Sequence, residues 1–380
     1  MSPPNSLGRV MRPLGIAIIA LSLLSGGGAG AQELSTDKSL VRMGVRVDAK
    51  PFAWQDPASG SFLGFLVDLC TDAVTRAGYP FEQVPITAAE RIEVLKGDRG
   101  DIDVLCDPTT ITLSRMRAFA GLKPPGSVAF SPIVFVANGT YMTRTDLKGV
   151  RDEPPGDDPE ACLAPPVSEV AVASGATPAA GAAVKAASLK YLRAGYVVGT
   201  TIGPVISTAI KAGGLRLAPN ERVCAVEKPD HVTGVAAFCG GELDYYFGDA
   251  DIIEAYVADA RSQGLPCEVE ARPRPISYEP YALVIGGRKP EFRDAFVTAL
   301  YEVFHHGTAD DRFEGHFEGR RMAPFLETLF RINRIPAGAT TAVAGGPETG
   351  EGGNMADLDA EVTPTLSGMD PDKEAILTAD

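Results

Sequence analysis

The chain has 380 residues, of which 45% are hydrophobic and 22% charged, and its formal net charge at pH 7 is −14. This length suffices for two globular domains of ordinary size, and the negative charge argues against a nucleic-acid partner. Six cysteines without a CxxC spacing permit disulfides in an exported protein and do not indicate a metal site.

The N-terminal segment has the layout of a cleavable secretory signal. Arg9 and Arg12 precede an apolar run over residues 14–24, and a Gly/Ala-rich stretch ends at Ala31. The apolar run is far shorter than the roughly 20 residues that a membrane-spanning helix needs. We therefore expect residues 1–31 to be removed and the mature protein to be soluble in the periplasm; an uncleaved N-terminal anchor is the alternative.

The first half of the mature chain alternates strand and helix patterns. Residues 40–47 and 102–106 are typical of buried strands, and between them residues 66–77 have a helical apolar face. This βαβ order predicts a mostly parallel sheet with helices on both faces.

A second α/β unit follows a Pro/Ala/Gly-rich stretch over residues 151–187, which we interpret as a mobile surface insertion. The unit's predicted strands are 197–201, 223–226 and 243–247, and its predicted helices are 205–212, 232–239 and 252–260. Two similar units in one chain predict two lobes.

The closing segment is expected to return to the first lobe. Its strand 281–285 and helix 291–304 have no partner in the second unit, so two crossovers between lobes are predicted near 141–143 and 277–279. Beyond it, nine carboxylates and one lysine in residues 337–380 predict a disordered acidic tail.

The predicted architecture is an α/β fold of two lobes joined by two crossover hinges, each lobe a mostly parallel sheet flanked by helices. Its expected boundaries are 32–142 with 278–336 for lobe one, and 143–277 for lobe two. Cys70 with Cys106 and Cys224 with Cys267 each fall within one lobe and could pair there, although buried free thiols are an equal alternative.

Candidate binding residues follow the predicted strands, where open α/β sheets bind ligands. A free amino acid requires a guanidinium and hydroxyl or amide donors for its α-carboxylate, and a carboxylate for its ammonium. Thr109, Thr110 and Arg115 follow the strand 102–106, and Asp249 follows the strand 243–247. Each set read alone is more typical of a helix N-terminus, where Thr and Asp act as caps.

Together these motifs resemble the polar amino acid periplasmic binding proteins, solute-binding protein family 3, and most of all their glutamate/aspartate-binding branch. The motifs are GVR ending at Arg46, PF ending at Phe52, GFLVDL from Gly64, VPIT before Arg91, DID from Asp101, and TT before Arg115. In the second lobe, VGTTIG from Val198 resembles the family's anion-binding turn, and His231 precedes Asp249 by eighteen residues. The resemblance covers about residues 41–317 and implies the type II periplasmic binding protein fold.

The resemblance also implies a role for each site residue. Arg115 and Thr110 would bind the α-carboxylate and Asp249 the α-ammonium; Phe52 would form an apolar wall, Arg46 and Arg91 would face the far end of the ligand, and Thr201 and His231 would contact it from the second lobe. Two arginines at the far end favour glutamate or aspartate, because a buried unpaired guanidinium is costly. An ion pair at the surface or between the lobes is the alternative for each arginine.

Three positions depart from the family pattern. Ala88 stands where the branch has a hydroxyl, Pro108 replaces a small polar residue, and Pro204 has no N–H to donate to a ligand. Specificity for another anion-bearing amino acid, a dicarboxylate or a larger ligand is therefore also consistent with the sequence.

The implied function is that of the binding component of an ABC importer, a monomer that delivers its amino acid to a permease in the inner membrane. We expect no cofactor, no metal and no catalysis; His305, His306 and His316 are interpreted as solvent-facing rather than as metal ligands. Two alternatives are a periplasmic accessory or sensory protein that contacts a partner through this fold, and a periplasmic lyase or dehydratase.

Overall fold

The computed structural model describes residues 38–145, 162–163, 189–211, 215, 217–218, 220–271 and 275–338. The predicted signal, most of the predicted insertion and nearly all of the predicted tail lie outside these residues. The chain divides into a compact unit over residues 1–336 and a second unit over 337–380. Within the described residues, none of the helices combines the length and the apolar character that crossing a membrane requires.

The described residues form twelve strands and nine helices. The strands are β1 Val41–Arg46, β2 Asp48–Ala49, β3 Ala53–Gln55, β4 Phe62–Leu63, β5 Phe81–Ile86, β6 Val104–Thr110, β7 Val128–Arg144, β8 Lys190–Val197, β9 Glu221–Lys228, β10 Tyr245–Asp249, β11 Val269–Ala271 and β12 Ser277–Gly286. The helices are α1 Phe65–Arg76, α2 Ala88–Lys96, α3 Leu113–Ala120, α4 Ile202–Lys211, α5 His231–Cys239, α6 Ala250–Ser262, α7 Pro290–His305, α8 Thr308–His316 and α9 Pro324–Asn333.

The main sheet contains two parallel blocks joined by two antiparallel strands. Its order is β5-β1-β6-β12-β7-β10-β8-β9, with β11 beside β7, and β2, β3 and β4 form a small separate sheet. Strands β5, β1 and β6 are parallel, as are β10, β8 and β9, whereas β7 and β12 pair with each other in antiparallel register. The predicted two-lobed α/β fold is confirmed, and β7 and β12 provide the two crossovers.

Helices α2 and α3 begin with threonine caps that fix the start of each helix beside the site. The Thr87 side chain accepts from the Glu90 backbone N–H in a reciprocal capping box, and the Thr112 side chain accepts from the backbone N–H of Arg115. Gly97 ends α2 at φ 79°, a left-handed conformation that favours glycine. These caps fix the helical positions that carry Arg91 and Arg115.

One predicted strand is displaced. The segment 197–201 was expected to be extended, but the strand is β8, which ends at Val197, and the following residues turn into α4. Gly199 in this turn has φ +69°, which a strand does not permit. The lobe boundaries themselves stay a prediction.

Three disulfides link the six cysteines. The predicted Cys70–Cys106 bond is confirmed, but Cys224 pairs with Cys162 and Cys267 with Cys239, so the suggested Cys224–Cys267 pair is wrong. Cys162 belongs to the predicted insertion, and its neighbour Leu163 forms a β-bridge with Val223 of β9. Residues 162 and 163 are therefore attached to β9 by one disulfide and one β-bridge.

Replacing both Cys70 and Cys106 with alanine should lower the free energy of unfolding by about 2–5 kcal/mol, the usual effect of removing a native disulfide. Both residues are fully buried, and the bond joins α1 to β6 across 36 residues. Equilibrium unfolding in urea, without reductant, measures the difference from the wild-type protein. An unchanged unfolding midpoint and slope would contradict the expectation.

Candidate functional site

Loops at the ends of β1, β6, β8 and β10 surround a small enclosed cavity of about 30 Å³, room for about two water molecules. Its lining residues are Arg46, Ala49, Arg91, Pro108, Thr110, Val197, Thr200, Thr201, Ile202, His231, Phe247, Gly248, Asp249 and Ile252. Six of the eight predicted site residues are among them. The other two, Phe52 and Arg115, are not.

Arg46 is buried and bound by two aspartates. Its Nε donates to Asp48 Oδ1 in a short bond, its Nη2 to Asp48 Oδ2 at 3.2 Å, and its Nη1 to Asp107 Oδ1 at 3.4 Å. Burial by itself would lower the pKa of Arg46, but Asp48 and Asp107 outweigh burial and raise it. The guanidinium is therefore protonated, and carboxylates of the protein itself balance its charge.

Arg91 lies on the other side of the same aspartate. Its Nε is 2.8 Å from Asp107 Oδ2, and its Nη1 donates to the carbonyl oxygen of Gly199 at 3.1 Å. Asp107 is fully buried and also accepts from the Thr109 hydroxyl at 2.6 Å. Burial lowers the pKa of Arg91 because it outweighs the attraction of Asp107. Asp107 thus holds two arginines at once.

Arg115 bonds to carbonyl oxygens. Its Nη1 donates to Thr110 O at 2.8 Å and its Nη2 to Gly199 O at 3.1 Å. Among the described residues, no carboxylate lies within ion-pair distance of this guanidinium. Burial, and secondly the nearby charge of Arg91, lower the pKa of Arg115 to about 10. A carboxylate is a stronger acceptor than a carbonyl, so a bound anion would compete for these donors.

Asp249 ends β10 and occupies the N-cap position of α6, but its side chain does not cap the helix. Its Oδ2 accepts a short bond from the Tyr281 hydroxyl. Its Oδ1 is shielded from solvent and has no hydrogen-bond partner within the described part of the chain, although the residue as a whole is only half-buried. Burial raises the pKa of Asp249 to about 7, despite the Tyr281 bond. This orphaned oxygen is a ready acceptor for a cation.

His231 and Thr201 line the cavity from the second lobe. The His231 backbone N–H donates to Asp48 Oδ2 at 3.0 Å, and its Nδ1 lies 3.1 Å from the Tyr246 hydroxyl. Burial lowers the pKa of His231 to about 4, so its ring is neutral at pH 7. Thr201 donates to Glu279 Oε2 at 2.9 Å.

Phe52 lies in the core and does not reach the cavity. Its ring packs edge-on against Phe135 and Tyr281, with centroids 4.8 and 5.2 Å away. Because Tyr281 bonds to Asp249, Phe52 supports the site at one remove. The structure therefore does not place Phe52 as the apolar wall that the resemblance implies; Ile202, Phe247 and Ile252 line the cavity instead.

Several groups at the site were not predicted from the sequence. They are Asp48, Asp107, Tyr281, Glu279 and the carbonyl of Gly199. One signal was available, since Asp107 stands directly before Pro108, a position already noted as departing from the family. Its pairing with Arg46 and Arg91 depends on how the strands align.

The arrangement is suited to a zwitterion. As far as the structure describes the chain, Arg115 offers donors that carry no carboxylate partner, and Asp249 offers an unpaired carboxylate oxygen. Within the described part of the chain, no cluster of three or more His, Cys, Asp or Glu side chains could hold a metal. His305 and His306 are exposed, and His316 bonds to Asp68 at 2.8 Å.

The profile of the family described as bacterial extracellular solute-binding proteins, family 3, matches residues 41–319. A comparison with curated protein sequences gives no match.

Three solved structures share the fold. One is the arginine-, lysine-, histidine-binding protein ArtJ from the thermophilic bacterium Geobacillus stearothermophilus, with 17% identity, a TM-score of 0.51, and coverage of 76% of this chain and 100% of that one. Another is the substrate-binding protein of an amino acid ABC transporter, with 15% identity, a TM-score of 0.51 and coverage of 74% and 100%. The ancestral amino acid-binding protein AncCDT-1, a precursor of cyclohexadienyl dehydratase, has 19% identity, a TM-score of 0.50 and coverage of 73% and 96%.

Proposed function

The chain belongs to the bacterial extracellular solute-binding proteins, family 3, and from this premise we propose that it binds a free amino acid and delivers it to an ABC importer. A similar fold occurs in the substrate-binding protein of an amino acid ABC transporter. The signal-like N-terminus supports export to the periplasm, where the protein would act as a monomer and present its ligand to a permease in the inner membrane.

The observation that carries this proposal is the buried Oδ1 of Asp249, which has no hydrogen-bond partner among the described residues. A carboxylate oxygen without a hydrogen bond costs free energy, and a primary ammonium group is a partner that would satisfy it. Arg115, whose Nη1 donates to the Thr110 carbonyl oxygen in this structure, provides donors for a carboxylate. An α-amino acid carries both charged groups on one carbon atom and fits this pair of demands.

Closure of the two lobes on the ligand would assemble the site. The carbonyl of Gly199 in the second lobe already bonds to Arg91 and Arg115 of the first, and His231 already bonds to Asp48. A ligand carboxylate on Arg115 would recruit Asp249 and Thr201 across the cavity, so the closed state gains contacts that the open state lacks.

An acidic ligand has less support than the sequence suggested. The physical reason for glutamate or aspartate was that Arg46 and Arg91 would need a second ligand carboxylate. Both guanidinium groups contact aspartates of the protein. The proposed ligand is therefore an amino acid, and the charged groups of the site that remain unpaired determine the class of its side chain.

We propose binding without catalysis. A lyase or dehydratase needs a positioned general acid or base, and His231 and Asp249 are the residues that could serve. His231 bonds to Tyr246 and its pKa is lowered to about 4, and we assign Asp249 to the ammonium group of the ligand. The likeness to AncCDT-1 concerns the fold. The insertion and the tail, which would serve an accessory or sensory protein as contact elements, lie almost wholly outside the described residues.

Replacing Arg115 with methionine should weaken amino-acid binding by about 30- to 5,000-fold, because a buried charge-assisted contact contributes about 2–5 kcal/mol. Thermal unfolding is followed with each amino acid in turn, since a ligand at about 100 times its Kd stabilises the folded state by about 2.7 kcal/mol. The matched control is Arg117→Met, an exposed residue of the same helix. The proposal would be refuted if none of the amino acids raised the unfolding temperature of the wild-type protein, or if both variants showed equal shifts.

A further inference from the structure

We infer that the ligand is a small α-amino acid with an uncharged side chain, because this chain supplies its own carboxylate, Asp107, to the arginines that a second ligand carboxylate would otherwise need. The inference rests on the proposed function and specifies its substrate class. Three observations lead to it: the closed ion network around Asp107, the charges left unpaired, and the size of the cavity.

Arg46, Arg91, Asp48 and Asp107 form a charge-balanced network. Asp107 Oδ1 faces Arg46, and its Oδ2 faces Arg91 and the Thr109 hydroxyl, so both oxygens are engaged. Asp48 binds the Nε and Nη2 edge of Arg46, the edge that a carboxylate grips with two parallel bonds. The far-end arginines are thus already occupied by two buried carboxylates.

A second ligand carboxylate would have to displace this network. It would approach Arg46 and Arg91, which line the cavity, while Asp107 lies within 3.4 Å of both. Like charges held close together in a buried site repel strongly. Glutamate and aspartate are therefore disfavoured.

A basic side chain lacks a free partner. Two further carboxylates bond to residues that line the cavity, and Glu279 accepts from Ser277 through Oε1 at 2.6 Å and from Thr201 through Oε2 at 2.9 Å. Asp48 is bound by Arg46 and by the backbone of His231. Asp249 lines the cavity, and its Oδ1 has no hydrogen-bond partner among the described residues. The α-ammonium of the ligand would bind this oxygen, so it is not available to a basic side chain.

The size of the cavity limits the side chain. Its volume is about 30 Å³, and Ala49, Val197, Ile202, Phe247 and Ile252 form its apolar walls. Apolar walls around a small volume favour a short aliphatic or hydroxyl side chain. Glycine, alanine and serine have the shortest side chains of this kind.

The first test compares ligands on the wild-type protein, unfolded and refolded beforehand to remove any ligand that copurifies. Titration calorimetry with alanine, serine, glycine, glutamate, aspartate, lysine and arginine should give at least 100-fold tighter binding for an uncharged amino acid than for a charged one. Tightest binding of glutamate, aspartate or a basic amino acid would overturn the inference and leave the proposed function intact. Failure of every amino acid to bind would overturn both.

The second test removes the internal carboxylate. Asp107→Asn should increase affinity for glutamate or aspartate by at least tenfold, since Arg91 loses its carboxylate partner. The matched control is Asp101→Asn, which removes an exposed carboxylate bound to Arg99 and should leave the selectivity unchanged. A folded Asp107→Asn protein with wild-type selectivity would contradict the inference; if that variant does not fold, the wild-type comparison decides.

Discussion

Asp249→Asn is expected to abolish amino-acid binding and yet to stabilise the ligand-free protein by up to about 4 kcal/mol at pH 7 or above. Burial raises the pKa of this carboxyl to about 7, so the folded state holds its proton more tightly than the unfolded state. Stability contributed by the protonated form is complete below about pH 4 and is lost as pH rises towards 7. Asparagine removes that loss and can still accept from Tyr281.

The same titration affects ligand binding. An ammonium group pairs with the ionised carboxylate, so the affinity of the wild-type protein should rise with pH up to about 7 and then level off. Urea unfolding at pH 4 and pH 8, with calorimetric titration of the ligand, measures both effects. Asp259→Asn on the same helix, which removes a half-exposed partner of Lys50, is the control. Retained binding, or a loss of stability at pH 8, would argue against this role of Asp249.

Arg46→Met should lower the free energy of unfolding by about 3–5 kcal/mol, because it leaves Asp48 and Asp107 short of a buried partner. The comparison variant is Arg99→Met, which breaks an ion pair with the more exposed Asp101 and should cost less than about 1 kcal/mol. The double change Arg46→Met with Asp48→Leu should recover part of the loss, since it removes both charges of one pair. Denaturant unfolding of all three variants measures these losses of stability and shows whether Arg46→Met has the largest.

The result for Arg46 separates two interpretations of the same residue. If Arg46 binds the far end of a ligand, as the family resemblance implies, methionine should weaken binding and leave the ligand-free protein near wild-type stability. If Arg46 is a member of the internal ion network, the stability of the ligand-free protein falls. An unchanged unfolding midpoint would support the ligand-binding role of Arg46 instead.

Most of the fold could be predicted from the sequence because its elements have local patterns. The apolar face of α1, the run of β1 and the stop of α5 before Gly240 each follow from residues a few positions apart. The 17 residues of β7 were predicted only around 141–143, since the strand contains Pro132, Asn138 and Gly139, which are uncommon in strands. The pairing of Cys224 could not be predicted, because spacing does not determine which of several partners is close.

Most residues of the site could be predicted from the sequence, but the contacts between them could not. Six of the predicted residues line one cavity, since strand ends at one edge of a sheet converge. The contact between Arg46 and Asp107 joins residues 61 positions apart. It follows from the parallel register that sets Val45 of β1 opposite Cys106 of β6. A register of this kind is a tertiary property, so the sequence analysis counted two arginines and missed the aspartate between them.

Calorimetric titration of the refolded wild-type protein with single amino acids at pH 8 tests the central claim most directly. The cavity lined by Thr110 and Asp249 predicts one binding site per chain that accepts a small uncharged amino acid, with glutamate at least 100-fold weaker. Absence of binding heat with every amino acid would contradict the assignment of this cavity to amino-acid binding.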